Sequence, residues 1–383
     1  MSRGILFVSH DATRTGAPKA LLHLLRWFKS NGKRPFSVLL GAGGELTAEF
    51  EQVAYTWPMN RSRWDPGRLQ TRLLVRAGVG KWAHSAEARD MRRFATRSSP
   101  VLVYVNSIAS ARVLDELAPR VPVLTHVHEL ESFFRVQPQM AVSRLLKHTH
   151  RFIACSEAVK QNLLFRHGVS AERVETIHES VPVGEIQAER TREQVFEELQ
   201  IPEDAHLVVG SGSEDWRKGI DLFVLLARET CQKHVGVYFA WMGGADPAWL
   251  EHDIRLAGLA ERVRLTGAVV KSADYLAAAD VFVLTSREDP YPLVCLEAAA
   301  LGKPLVCFAD AGGMPEFVEG DCGFIVPYLD IAAMAERVIC LLDSSERRLK
   351  MGAAARRKVS ERHDISIAGP RIMGVIERTL AGE

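Results

Sequence analysis

Short apolar runs alternate along this chain with longer segments whose apolar residues return at helical spacing, which predicts parallel sheets covered by helices on both faces. In the first half the runs GILFVS, FSVLL, VLVYV, VPVLTHV, RFIAC and VETI predict strands. The polar and charged stretch PVGEIQAERTREQVFEELQIPEDA, from Pro182, interrupts them. A second series starts at His206 with HLVVG and runs through VGVYFAWMG, VRLTG, VFVLTS, PLVCF and GFIVP. Two doubly wound α/β domains joined near residues 183 to 195 account for the pattern, and the crevice between them is the expected ligand site. After Pro327 the spacing is helical to the end, with the basic run RRLKMGAAARRK expected on a solvated face.

The stretch DPYPLVCLEAAALGKPLV, from Asp289, predicts a helix carried by Leu293, Leu296, Ala300 and Leu301 and stopped by Gly302. Pro292 suits its first turn, where a missing N–H costs nothing. The N–H groups of Leu293 and Val294 then face outward at the positive end of the helix, a physical basis for holding phosphate. Two carboxylates beside a phosphate need another partner, and paired sugar hydroxyls are suitable donors to them. A nucleotide diphosphate sugar carries hydroxyls on both sides of its phosphates. Asp289 and Glu297 could therefore hold one sugar each.

Three further loops carry candidate chemistry. The first strand runs into SHDATRTGAPKALLHLL, where Gly16 precedes a helix expected from about Ala17; close approach of a phosphate and a plain tight turn explain this glycine equally well. GSGSEDWRKGIDLF combines Gly210 and Gly212 with Arg217 and Lys218 before a helix near Ile220, placing two cations where a diphosphate leaving group would gain charge. THVHEL puts His126 and His128 on one face of a strand. Two such imidazoles could ligate a metal, but no third ligand is identifiable. The expectation is one histidine lining the crevice and the other on a backbone hydrogen bond, with His128, beside Glu129, contacting a substrate hydroxyl. His10, at the tip of the first strand, could line the same crevice.

Composition narrows the field. The 383 residues suffice for two domains, and a net charge of +1 gives a nucleic-acid partner no support. Between Arg61 and Arg97 ten Lys or Arg stand against three acids, with Trp64, Leu69, Leu73, Leu74, Val75 and Trp82 among them. This reads either as a solvated helical face or as attachment to an anionic membrane surface. The six cysteines show no C-x-x-C, and several sit in apolar runs, which suits a reducing cytoplasm. The N-terminal apolar run is too short for a signal peptide, and no run reaches membrane-spanning length. The expectation is a cytoplasmic protein able to touch the membrane from its inner face.

SREDPYPLVCLEAAALGKPLV, with two acids flanking seven residues, resembles the acidic signature of retaining glycosyltransferases of the GT-B fold, family 4. WRKGIDLF, GAPKALLHLL and HVHEL stand in the order that family requires, so the resemblance spans nearly the whole chain. It implies two Rossmann-like domains facing each other across a cleft: residues 1–185 for the acceptor, 186–365 for the nucleotide sugar, and a helix, 366–383, crossing back to the first. It also implies transfer of a sugar, UDP- or GDP-linked, to a glycan, lipid-linked or small-molecule acceptor, with retained configuration, no metal and no cofactor beyond the donor. Polysaccharide or glycoconjugate synthesis would be the setting. By resemblance, Glu297 holds the ribose, Asp289 contacts the donor sugar, and Lys218 with Arg217 binds the diphosphate near Gly16. His128 stands near the donor sugar. Gly212, Ser213, Tyr291, Leu293 and Val294 complete the expected donor site; His10, His128 and Glu129 the acceptor site; and His128, Asp289, Arg217 and Lys218 the catalytic set. The departures are Asp for the commoner Glu at 289, with Glu288 beside it leaving the assignment open by one position, prolines 290 and 292 in place of glycines, and Ser213 where many relatives carry arginine. A sugar-nucleotide epimerase of the same fold, or a non-catalytic sugar-nucleotide or glycan-binding protein, are the alternatives.

Overall fold

The computed structural model describes residues 4–32, 34–58, 80–244 and 248–382. The part of the basic stretch at residues 61–79 lies outside them, as do the side chains of residues 80–88. The chain forms two compact units, Met1–Glu179 with Ile365–Glu383, and Ser180–Asp364.

The first unit carries a seven-stranded sheet whose strands are β1 (Gly4–Ser9), β2 (Phe36–Leu40), β3 (Tyr55–Pro58), β4 (Pro100–Asn106), β5 (Val123–Val127), β6 (Arg151–Ala154) and β7 (Val174–Thr176). Their order is β3-β2-β1-β4-β5-β6-β7, with every pairing parallel. The order reverses between β1 and β4. Loops that leave the carboxyl ends of those two strands therefore diverge to opposite faces and open a cradle there. All six residues of β1 are buried, which is why the strand reads as a continuous apolar run. Phe7 sits opposite Val38 and Tyr104 and packs edge-on against Phe28 and Phe36 at 5.6 and 5.8 Å. Leu21, Leu25 and Phe28 of the helix Gly16–Asn31 face this core at helical spacing.

The helix Ile365–Ala381 completes the same core with Ala368, Ile372, Val375 and Ile376. Gly369 lies so close to Trp27 that a Cβ there would stand 2.4 Å from the indole. Ion pairs from Arg34 to Glu377, at 3.0 Å, and from Arg378 to Glu175 tie its solvent side down.

The second unit carries six parallel strands: β8 (His206–Ser211), β9 (Val237–Met242), β10 (Val263–Gly267), β11 (Val281–Leu284), β12 (Leu305–Phe308) and β13 (Gly323–Val326). Their order is β10-β9-β8-β11-β12-β13, so the reversal falls between β8 and β11. Phe223, Phe239 and Trp241 fill the core on one face of β8.

Two sequence expectations change. The four-residue strand β3, at the sheet edge, lies in no apolar run and was not predicted. The basic run near residue 350 is not uniformly solvated: Lys358 is buried, giving hydrogen bonds to the Phe317 carbonyl at 2.9 Å and Glu319 at 3.0 Å, and pairing also with Asp321. The long stem of a lysine can lie over an apolar surface while its ammonium finds carboxylates at the rim.

Candidate active site

In the second unit the reversal between β8 and β11 brings loop 212–219 beside loop 285–292, and short backbone contacts stitch them together. The Arg217 carbonyl accepts from the Arg287 N–H at 2.6 Å, and the Thr285 hydroxyl donates to the Gly219 carbonyl at 2.9 Å. Gly219 has a φ of +66° and leaves no room for a side chain, since a Cβ would lie 2.1 Å from the Thr285 carbonyl oxygen. Gly212 makes a second close approach possible, because a Cβ there would stand 2.8 Å from Cβ of Lys218. The lysine stem thus crosses the glycine and carries its ammonium to Asp289 Oδ2, 2.6 Å away.

Asp289 is buried and held from several sides. Its Oδ2 also accepts from the Ser286 hydroxyl at 3.2 Å, and its N–H donates to the Ala311 carbonyl at 2.7 Å. Glu288, by contrast, is half-buried, so Asp289 is the acid turned inward at this position. The helix Leu293–Ala300 follows, with Pro292 at its N-cap rather than inside its first turn. The N–H groups of Leu293 and Val294 are early in that helix, where no intrahelical carbonyl reaches them. One turn on, buried Glu297 accepts from the Ser272 hydroxyl at 3.1 Å. Between the two acids in sequence lies Cys295, whose thiol is pushed well up by burial and by the Asp289 charge, and it stays protonated.

The remaining donor-site candidates fall in different places. Arg217 turns to Asp215, with Nε 3.2 Å from Oδ1, on a turn that Asp215 itself caps. Ser213 is exposed. Tyr291 is buried and directed away from the loop surface, its hydroxyl 3.3 Å from His363 Nε2 and its ring stacked on that histidine at 5.5 Å. It supports the loop from behind. Arg287, which was not singled out, clamps Asp221 through two bonds at 2.8 and 2.7 Å and lies over Trp216, fixing the turn that carries Lys218. That clamp draws the Asp221 carboxyl below its usual range.

In the first unit the reversal between β1 and β4 gathers a buried polar network. His128 bonds Glu179 through Nδ1 and Asn106 Oδ1 through Nε2 at 2.8 Å. The Asn106 amide donates to the Ala17 carbonyl at 2.9 Å, which fixes its orientation and leaves its oxygen toward the histidine. Both ring nitrogens of His128 therefore face acceptors, the pattern of an imidazolium. Burial works to lower its pKa, but the Glu179 charge and hydrogen bond and the Glu129 charge outweigh it and raise the value. His126, its ring 4.1 Å from His128, is driven the other way, well below the usual value, by burial and then by the neighbouring cation. Its Nδ1 meets the Tyr104 hydroxyl at 2.7 Å, not a backbone group as expected.

Glu129 is spent inside the fold. Its carboxylate accepts from the Ser107 hydroxyl, from the Ile108 N–H at 3.2 Å and from the His128 N–H at 3.0 Å. Ser107 holds a φ of +75°, unusual for a residue with a side chain, and this contact is what fixes it at the end of β4. Gly16 opens the helix Gly16–Asn31 with nothing within 4 Å of where a Cβ would be, so neither packing nor backbone requires a glycine there. His10, at the tip of β1, keeps Nε2 3.6 Å from Asp11.

The donor atoms of His128, Cys155 and Glu179 lie within 4.8 Å of one another and are the one such trio among the described residues. The hydrogen bonds of His128 to Glu179 and Asn106 already account for this arrangement. Sequence reading missed Glu179, Asn106 and Tyr104, because each reaches His126 or His128 from another strand or crossover and leaves no local motif.

Comparison with known proteins follows the same division of the chain. The profile Glycosyltransferase Family 4 matches residues 15–185, and Glycosyl transferases group 1 matches residues 191–358. D-inositol 3-phosphate glycosyltransferase 1 of Catenulispora acidiphila is 28% identical over 225 residues, covering 56% of this chain and 54% of that protein. The lipopolysaccharide core biosynthesis glycosyltransferase LpsD of Rhizobium meliloti is 32% identical over 158 residues, covering 41% and 45%. The chain thus spans about half the length of the curated relatives it matches. The crystal structure of Anabaena Alr3699/HepE in complex with UDP and glucose superposes with a TM-score of 0.82 at 20% identity, over 98% of this chain and 99% of that one, a likeness of fold.

Proposed function

We propose a function from the premise that this chain belongs to the GT-B glycosyltransferases of the group 1, family 4 type: it moves a sugar from a nucleotide diphosphate sugar to an acceptor. The observation that carries the reading is the cluster of Lys218, Asp289 and Glu297 around the first turn of the helix Leu293–Ala300. An amide-rich helix start and an adjacent ammonium suit a diphosphate, and each acid suits a sugar.

The donor binds the second unit. Its diphosphate lies at the N–H groups of Leu293 and Val294, its ribose on Glu297 and its transferred sugar near Asp289. As the leaving diphosphate gains charge, Lys218 shifts its attraction from Asp289 toward the phosphates, and that preorganised cation lowers the barrier. The first unit, with His128, takes the acceptor. Cys295 stays a thiol, so it is not the nucleophile at this helix start; departure and attack on one face with retained configuration is the preferred course. The reading needs no metal. The Anabaena neighbour's UDP and glucose favour a UDP-linked donor. The acceptor is a glycan, a lipid-linked sugar or a small molecule, and polysaccharide or glycoconjugate synthesis at the inner face of a membrane is the setting that suits it. Among the described residues no helix is long and apolar enough to cross one.

A thermal-shift panel of UDP- and GDP-sugars, followed by product analysis with the best binder, tests the proposal. A shift with one sugar nucleotide and release of its nucleoside diphosphate is expected. No shift with any, or a new sugar nucleotide formed without acceptor, would refute transfer.

A further inference from the structure

A groove on the first unit, outside the site described above, has the chemistry of a surface for anionic lipid. The helices Gln139–His148 and Glu157–His167 both end beside it, and it encloses a cavity of about 450 Å³. Lys147, Arg166 and Arg173 line it, over a floor that includes Val142 and Val169, and among the described residues no carboxylate lines it. Arg173 is committed to the fold, donating to the carbonyls of Leu146 at 3.2 Å, His150 at 3.3 Å and Thr149 and lying over Phe152, and it adds its charge to the groove from behind. Lys147 and Arg166 are exposed.

Cations near helix ends commonly answer the carbonyls there. That role does not explain the apolar side chains alongside. Val136, at the end of the preceding helix Glu131–Val136, and Met140, at the start of Gln139–His148, are 74% and 72% exposed, and Phe165, next to Arg166, is 80% exposed. From Glu131 to Arg173 the chain holds seven Lys or Arg against three acids, in a protein whose total charge is +1. Of those three acids Glu131 is already paired, with Arg135 and His167. Exposed bulky apolar groups beside clustered cations suit a bilayer, where the first enter the interface and the second meet lipid phosphates. A nucleic acid would use the cations and could stack on Phe165, but it would leave Val136 and Met140 in water.

We propose that this groove docks the protein on an anionic membrane surface, with lipid phosphate between Lys147 and Arg166 and with Val136, Met140 and Phe165 inserted at the interface. The proposal rests on the membrane part of the proposed function and not on the transfer reaction.

The test is sedimentation of the full chain with vesicles of phosphatidylcholine alone or mixed with phosphatidylglycerol. Wild type should bind only the mixed vesicles. Lys147→Glu with Arg166→Glu should weaken that binding at least about tenfold, at about 1 kcal/mol per basic residue near the surface. Met140→Ser with Phe165→Ser should weaken it at unchanged charge, while both double variants keep the melting temperature and donor turnover of wild type. Wild type that ignores the mixed vesicles overturns the groove and the membrane reading together, leaving transfer intact. Variants that bind like wild type overturn the groove alone. Competition by inorganic phosphate at millimolar level, or retention of an RNA oligonucleotide in place of vesicles, would likewise reject a lipid surface as the occupant.

Discussion

The ammonium of Lys218 stands 2.6 Å from the carboxylate of Asp289, although 71 positions separate them in sequence. Each comes from a loop at the reversal between β8 and β11, and each is largely removed from water, with side-chain exposures of 22% and 5%. Removing one partner of such a pair leaves the other charge buried without its complement. Lys218→Ala should therefore cost about 3 kcal/mol in denaturant unfolding and also slow nucleotide release from the donor. If stability falls while turnover is unchanged, the lysine is structural only.

Glu297 gives a cleaner reading of binding, since its bond to Ser272 does not bridge the two loops. Glu297→Gln keeps the volume and removes the charged acceptor. Calorimetry should show nucleotide affinity at least about tenfold weaker, as expected for loss of a charge-assisted bond to a hydroxyl. Unchanged affinity would remove Glu297 from the ribose.

The two adjacent histidines should give stability an optimum in pH. His128 has a raised pKa, so its contribution is complete below the unfolded value of about 6.5 and is lost as pH rises through the higher folded value. His126 has a depressed pKa, so the unfolded chain takes up a proton that the folded one refuses, and stability falls as pH drops below about 6.5. The stability gap between wild type and His128→Gln should be widest in acid and narrow toward alkaline pH. For His126→Gln it should narrow in acid. Unfolding curves across the range from about pH 5 to about pH 9 would show both slopes, and parallel curves would refute the assignment.

Gly219→Ala tests the stitching of the two loops. A Cβ at 2.1 Å from the Thr285 carbonyl, on a backbone with φ of +66°, forces the loops apart. A loss of at least about 2 kcal/mol is expected, with weaker sugar-nucleotide binding in parallel.

Among the described residues, twelve of the thirteen strands lie in the apolar runs because parallel strands covered on both faces leave an uninterrupted hydrophobic signature. β3 escaped because Tyr55–Pro58 is an edge strand with one neighbour, and Tyr55 is 66% exposed. In the second unit the glycines, Lys218 and the two acids were legible, since loops at a sheet reversal carry their chemistry in short contiguous motifs. The bond between Lys218 and Asp289 was not, because pairing across 71 residues is decided by strand order. The same limit hid Glu179 and Asn106 from His128 and made Glu129 look available, when its oxygens close a turn after β4. Tyr291 was misleading for a related reason: its place in a loop says nothing of which way the ring turns, and here it turns to His363.

The helix Ile365–Ala381 fills the core of the unit built by the opening residues, with Gly369 seated against Trp27. That unit therefore lacks a wall until a segment from beyond Asp364 docks on it, whereas Ser180–Asp364 is one continuous segment that can close by itself. A chain cut after residue 364 would leave an open apolar face on Met1–Glu179, while Ser180–Asp364 would keep all of its own elements.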